Sequence, residues 1–419
     1  MFLYFIYVNF TLHEVLKSRM LICVVVGFYP HFVSTSCTRC GNCVETCPSY
    51  MATGDIKNSP MGRLELLRHR AAPEELFTSF SKCTMCKRCA YRCPLGLDVA
   101  EVTRIVRDSL ATRGYAQPYV QKVVENFLKT GNNIGMAPKV VEMAIRATVR
   151  RVEKEKGDAP RVFLHLDGAY KEAASGAEEA PRRKYALLFP SSSDIFEFDT
   201  ALRGYIYVLH KLGFDVVISL KVSDTANYGY YLSAESMHKI AEMYHAEIRK
   251  ASPALVVFGE CGHGWHVFAS LVAPKTSTPT FHIHQLTYRA YTRGALRLEK
   301  VDVERPVVYM DPCNYSRGAL PIVEEPRALL KAIVGDFTEA WNDPRDSICC
   351  LGGGGLIAPE MLNAAVKYWQ KLRERLSLGA KTVVRPCATC KAQLKRVFNA
   401  MGLDVNVTGV VELVYKAVR

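Results

Sequence analysis

Eight of the chain's 15 cysteines stand in two identical runs, Cys37-x-x-Cys40-x-x-Cys43-x-x-x-Cys47-Pro48 and Cys83-x-x-Cys86-x-x-Cys89-x-x-x-Cys93-Pro94. Three thiolates at intervals of three residues wrap a tight turn around one [4Fe-4S] cubane, and the fourth points away to a second. The spacing therefore predicts two cubanes, one held by Cys37, Cys40, Cys43 and Cys93, the other by Cys83, Cys86, Cys89 and Cys47. Each closing proline ends the local turn and withholds one N–H. Zinc sites use paired C-x-x-C units instead of a duplicated eight-ligand run, which sets zinc aside here.

Five more cysteines gather toward the C-terminus: Cys313 in DPCNYSRG, the adjacent pair Cys349 and Cys350 in ICCLGGGG, and Cys387 and Cys390 in RPCATCK. Five thiols exceed the needs of one cubane, so they imply either an unusual iron-sulfur cluster or a four-ligand cluster beside a reactive thiol. The run Gly352 to Gly355 suits such a site, because backbone without side chains approaches inorganic sulfur closely and offers it N–H groups. Cys261, in GECGHGW, reads either as a further redox thiol or ligand or as a buried inert one. His263 beside it brings a side chain whose ordinary pKa is near neutral. Cys23 reads as inert.

These residues need elements to hold them. Helical spacing in ELLRHRAAPEELFTSFSK and DVAEVTRIVRDSLATRG makes the eight-cysteine region a mainly helical unit over 34–112. Residues 113–180 read as connecting helices followed by a hinge, since DGAYKEAASGAEEAPRRK is polar and rich in small residues. Beyond 180 strands and helices alternate: YALLFP, FDVVISL, ALVVFGE and TPTFHIH, then a second set beginning at VVYMD and continuing through TVVRP and VNVTG. The fold class is therefore α+β and multidomain. A helical two-[4Fe-4S] domain precedes an α/β part with two pseudo-repeated halves, 181–300 and 301–419, whose chemistry lies on loops after strand ends.

With 419 residues, 49% hydrophobic and 23% charged, the chain reads as two or three globular domains, neither disordered nor polytopic. The formal charge is +13. Each cubane with its thiolates carries about −2, so three clusters would cancel about six of those charges. What remains suits an anionic membrane face or an acidic partner, and no nucleic-acid motif is present. Residues 1–33 are apolar. The run around 21–29 is too short to span a bilayer and is closed by Pro30 and His31, which leaves a partner-facing or membrane-surface segment, or a true start at Met20. The GGGG run lacks the strand-and-helix context of a dinucleotide loop, so neither flavin nor NAD is expected. Grouped cysteines without a convincing export signal favour a reducing cytoplasm.

The pattern C-x35-CC-x36-C-x-x-C resembles the cysteine-rich CCG domain of the heterodisulfide reductase superfamily, whose members join a two-cubane domain to one or two CCG domains. The resemblance implies a special iron-sulfur cluster on Cys313, Cys349, Cys350, Cys387 and Cys390, at which a sulfur-sulfur bond is cleaved. Leu351 departs from the motif's glycine. In the first half Ser191, Ser192 and Ser193, and Tyr230 with Tyr231, stand where a second cysteine set would be, leaving Cys261. With PSSSD and TANYGYY, this half looks like the K subunits of the DsrMKJOP membrane complexes of sulfur-metabolising prokaryotes. That likeness implies a peripheral subunit on the cytoplasmic face, with a haem b/quinone membrane subunit, further subunits of the complex and a DsrC-like sulfur carrier as partners. Quinol electrons would pass singly through the two cubanes to the CCG cysteines, where they split a disulfide or trisulfide, or run in reverse. Lys391, Arg385 and His263 are the candidates to stabilise a departing thiolate, with His266, His282 and His284 weaker. Two rival readings are the iron-sulfur subunit of a glycolate, lactate or glycerol-3-phosphate dehydrogenase, and a pure electron relay.

Overall fold

The computed structural model describes residues 19–373 and 379–419, with side chains from Phe28 onward; expectations for residues 1–18 and for the Cys23 side chain lie outside it. The cysteine-rich unit is helical. Helix Arg19–Ser36 leads into the first run and contains Pro30, so the proline and His31 do not close it as expected. Proline removes one intrahelical hydrogen bond, but the last turn is held from outside: Val33 is buried with Leu64, Phe80, Val99, Val102 and Val106. Those residues belong to helices Pro60–Arg68, Pro73–Phe80 and Val99–Ala111. Side-chain caps fix where two of them start: Ser59 accepts from Gly62 N, and Asp98 accepts from the amides of Ala100 and Glu101.

Two amphipathic helices, Pro118–Thr130 and Pro138–Lys156, form the connection, each opening on proline and closing on a left-handed glycine. The segment expected to be a hinge begins in sheet and is irregular from Ala173 on. Strands β1 (Val162–Leu166) and β2 (Ala169–Glu172) form an antiparallel hairpin around Asp167 and Gly168, which take φ of 49° and 94°. Two consecutive positive φ values are what a two-residue hairpin turn needs. β1 then pairs in parallel with β4 and extends the first sheet.

That sheet runs β2-β1-β4-β3-β5-β6, with β3 Tyr185–Phe189, β4 Asp215–Ser219, β5 Leu255–Phe258 and β6 Thr280–His282. The second runs β10-β9-β7-β8, with β7 Val307–Tyr309, β8 Thr338–Glu339, β9 Thr382–Val384 and β10 Asn406–Thr408. Taken from its other edge the second is β8-β7-β9-β10, the same chain order as β4-β3-β5-β6. The two halves therefore repeat one parallel unit, and the hairpin is an addition to the first.

The halves are joined back to back by one apolar core and one buried ionic knot. Helix Asp199–Lys211 of the first half meets helix Val410–Ala417 of the second so closely that a Cβ on Gly204 would lie 2.6 Å from the Val411 carbonyl oxygen. Beside that contact the Lys391 ammonium lies 3.5 Å from Asp194, 3.6 Å from Glu260 and 3.2 Å from Glu412. Asp194 and Glu260 come from the first half, Lys391 and Glu412 from the second. Burial alone would discourage a charge on Lys391, but Glu412, Asp194 and Glu260 outweigh it and hold the ammonium protonated. Removing the cation would leave several carboxylates buried without it, so Lys391→Met is expected to destabilise the protein by about 3–5 kcal/mol. Anaerobic chemical denaturation of the holoprotein would measure this, and an unchanged midpoint would deny the knot its structural role.

Candidate iron-sulfur site

Cys37, Cys40, Cys43 and Cys93 line one pocket, together with Met61, Leu95 and Leu97. Cys47, Cys83, Cys86 and Cys89 line another. The structure thus brings together the same two sets of four that the spacing pairs. Among the described residues no group of three or more His, Cys, Asp or Glu is arranged to hold a single metal ion. The first cavity is at the surface, where Cys40 is exposed. The second is internal, and burial pushes the Cys47 and Cys89 thiols up, a penalty that iron ligation removes by replacing the proton.

Buried cations flank the internal cavity. The Arg107 guanidinium donates to the carbonyls of Phe80, Ser81 and Cys83. Arg63 donates to Ser79 O at 3.1 Å and favours the Cys47 thiolate. Neither forms an ion pair with a carboxylate among the described residues, and both are almost fully buried. A cubane of net charge about −2 supplies the missing counter-charge.

The five C-terminal cysteines also converge, from the loops after β7 and β9 and the loop before the glycine run. Cys350, Cys387 and Cys390 pack together, and the Cys349 thiol is in hydrogen-bonding range of those of Cys313, Cys350 and Cys86. Backbone amides point at the sulfurs: Leu351 N to Cys349, Gly352 N to Cys350 and Gly262 N to Cys387, each at 3.4 Å. Arg385 is enclosed by this group. Burial opposes its charge, but Cys390, Cys350, Cys349 and Cys313 outweigh that and raise its pKa. It donates only to the carbonyls of Asp311 and Ile348 and to the Met310 sulfur, and its Nε has no partner. A fully buried guanidinium whose nearest potential anions are thiols fits a set of deprotonated, iron-ligating cysteines.

Leu351 takes φ of 64°, the left-handed region in which glycine is at ease. Its side chain is buried with Ile348, Trp369 and Leu394, and that burial, worth about 2 kcal/mol, offsets strain of about 1–2 kcal/mol. The pair keeps its backbone geometry without the motif's glycine.

Besides the amide that Gly352 offers to the Cys350 sulfur, the glycine run has a second task. A Cβ on Gly354 would lie 2.2 Å from the Cys83 carbonyl oxygen, and one on Gly353 would lie 2.9 Å from that of Thr84. The run presses against the loop that carries the internal cubane's cysteines, and Gln117 Nε2 reaches Gly355 O at 3.3 Å. Polar contacts clamp the same interface. Arg88 and Arg92 both bind Asp346, and Arg317 bridges Cys86 O at 2.7 Å to Ser347 O at 3.1 Å. The sequence reading missed Arg317, Asp346, Arg88 and Arg92, all within five residues of a cluster cysteine.

The other candidates divide. Lys391 points away from the thiols into the ionic knot, because three buried carboxylates compete for it. His282 accepts from His284 N at Nδ1 and donates from Nε2 to the Tyr315 hydroxyl oxygen; His284 binds Glu260; His266 accepts from Ala319 N at 2.8 Å. These three are structural. Cys261 and His263 do join the site's edge: Nδ1 of His263 is 3.8 Å from the Cys261 sulfur, and the neighbouring amide of Gly262 donates to Cys387. In the first half Ser192 binds Asp224 and no thiol stands with it.

Residues 34–97 match the 4Fe-4S dicluster domain family and residues 307–395 match the cysteine-rich CCG family. An Hdr-like menaquinol oxidoreductase iron-sulfur subunit of Archaeoglobus fulgidus is 23% identical, over 91% of this chain and 79% of its own length. A dihydromethanophenazine:CoB--CoM heterodisulfide reductase chain of Methanosarcina acetivorans is 23% identical, over 91% of this chain and 93% of its own length. The chain carries a 4Fe-4S dicluster domain and a cysteine-rich CCG domain and is similar along most of its length to heterodisulfide-reductase-like iron-sulfur subunits. A glycolate oxidase iron-sulfur subunit of Escherichia coli is similar over a shorter stretch, 22% identical and covering 48% of each chain. Gly354→Ala tests the glycine contact. The added methyl meets the Cys83 carbonyl and forces an unfavourable positive φ, so a loss of about 2–4 kcal/mol in stability is expected. Denaturation of holoprotein with wild-type iron content would show it; an unshifted midpoint would mean that the loops are not pressed together.

Proposed function

We propose that the chain is the iron-sulfur subunit of a membrane-associated oxidoreductase that reduces, or reversibly oxidises, a sulfur-sulfur bond at the CCG cysteines. The observation that carries this is the packing of the internal cubane's loop on the CCG loop, where Arg317 bridges Cys86 O to Ser347 O and Gly354 abuts the Cys83 carbonyl, which sets Cys86 beside the Cys349 loop. In this reading Cys37, Cys40, Cys43 and Cys93 hold the cubane that receives electrons. Cys83, Cys86, Cys89 and Cys47 hold the one that relays them, and Cys313, Cys349, Cys350, Cys387 and Cys390 hold a special cluster. Iron-sulfur clusters, when bound, take up and release single electrons. Arg385 and the amides of Leu351 and Gly352 stabilise anionic sulfur around the last set, and the enclosing core excludes water from it.

The electron source is a quinol-linked haem b membrane subunit, in keeping with the menaquinol oxidoreductase to which the Archaeoglobus relative belongs. Among the described residues no helix is long and apolar enough to cross a membrane, and in this reading the chain is held peripherally on the inner face by further subunits. The sulfur substrate is a disulfide or trisulfide, of which a DsrC-like carrier is the proposed source.

Pre-reduced holoprotein mixed with the trisulfide form of such a carrier is expected to release thiols as the clusters are reoxidised. Failure of that cleavage, with turnover by a flavoprotein dehydrogenase instead, would favour the glycolate oxidase-type relay that the shorter similarity suggests. The ligand sets have their own test. Cys350→Ser is expected to leave about eight irons per chain and two cubane EPR signals. Cys93→Ala is expected to remove the surface cubane alone; loss of the internal cubane instead would refute the crossed pairing.

A further inference from the structure

The pseudo-repeat puts the unligated half directly against the ligated one. Positions 230–231 and 261–264, after β4 and β5, correspond to 349–350 and 387–390 around β8 and β9. Cys261 and Cys387 are both the residue that opens the following helix, and Gly264 falls where Cys390 does. The two sets face each other, because Gly262 N lies 3.4 Å from the Cys387 sulfur. Beside the single Cys261 thiol, what the first half presents to the CCG cysteines is therefore Tyr231 and His263.

Both side chains are buried and mutually packed: the His263 ring is 5.1 Å from that of Tyr231 and 5.2 Å from that of Tyr228. The Tyr231 hydroxyl stands over the glycine run, 3.2 Å from where a Cβ on Gly353 would be, and its ionisation is opposed by burial and by Cys313. His263 lies within electrostatic range of Cys350. Its Nδ1 is engaged by Cys261, while its Nε2 is buried with no hydrogen-bond partner. We assign the Cys261 thiol as the donor to Nδ1, the tautomer that places the ring proton on Nε2. A buried donor without an acceptor is costly, and in a folded protein it marks a place where an acceptor is expected. Burial lowers the imidazole pKa to about 4, so at neutral pH the ring is a fixed N–H donor and not a source of protons.

We propose that His263 Nε2 and the Tyr231 hydroxyl form the hydrogen-bonding wall that binds the thiolate sulfur of the substrate against the CCG cysteines, so that the half without ligands is the substrate half. This rests on the sulfur-sulfur reading of the site given above. The substrate class is a thiol, free or protein-borne, whose sulfur is the acceptor that His263 Nε2 lacks.

The test uses anaerobic holoprotein, oxidised and titrated with 2-mercaptoethanol, with the thiol-dependent EPR and absorption change of the CCG cluster as the readout. His263→Phe and Tyr231→Phe are each expected to weaken thiol binding about tenfold or more, while His263→Gln, which restores an N–H donor, recovers most of it. Iron content and the spectra without thiol should stay at wild-type values in all three. Wild-type thiol affinity in both phenylalanine variants would overturn the proposal. So would loss of iron from the CCG set in His263→Phe and Tyr231→Phe, which would make the pair a support of the cluster. Absence of any thiol response in the wild type would instead defeat the sulfur-sulfur reading itself, a result separate from either.

Discussion

Anionic sulfur in a protein interior has to be matched by positive charge that is already in place. Isolated buried charges are among the costliest groups a fold can carry, and here guanidinium groups carry the positive side. Arg63, Arg107 and Arg385 are almost wholly buried, and Arg317 is partly so. Each is held by backbone carbonyls instead of carboxylates. Carbonyl oxygens orient an arginine without neutralising it. The net charge is left for the metal-bound thiolates, which gives a reason why the excess of basic residues coexists with a buried cysteine-rich interior.

The same arginines also join the parts of the molecule. Arg107 ties helix Val99–Ala111 to the carbonyls leading into the second cysteine run, and Arg317 spans from that run to the Cys349–Cys350 loop. Glycine completes the joint by letting backbone touch backbone at Gly353 and Gly354. Electron transfer falls off steeply with separation, so a construction that brings one cysteine set into contact with the next matters as much as the sets themselves.

The cysteine sets were legible because ligand spacing is local: a C-x-x-C-x-x-C turn has few ways to fold around a cube, and each set's fourth member comes from a run of the same form. The strand order was legible too, from alternating patterns bounded by turn residues. The β1–β2 hairpin carried an equally good signal, Asp167-Gly168 between VFLHL and AYKE, but the polar composition that follows obscured it. Long-range competition was not legible. Nothing near Lys391 in sequence reveals that Asp194, Glu260 and Glu412 wait for it, and nothing near Gly354 names the Cys83 carbonyl as its neighbour. His263 was singled out by adjacency to Cys261 and Tyr231 by its place where a cysteine pair would stand, but that the two rings pack on each other needed the fold.

Exposure is unevenly shared along the path. Cys40 is open to solvent while Cys47, Cys86 and all the CCG thiols except Cys313 are enclosed. Dissolved oxidants therefore meet the outermost cage first, since thiolate attack follows access. Damage there would cut the inlet while leaving the interior chemistry intact, so ageing in air should produce molecules that still contain most of their iron yet can no longer be charged from outside.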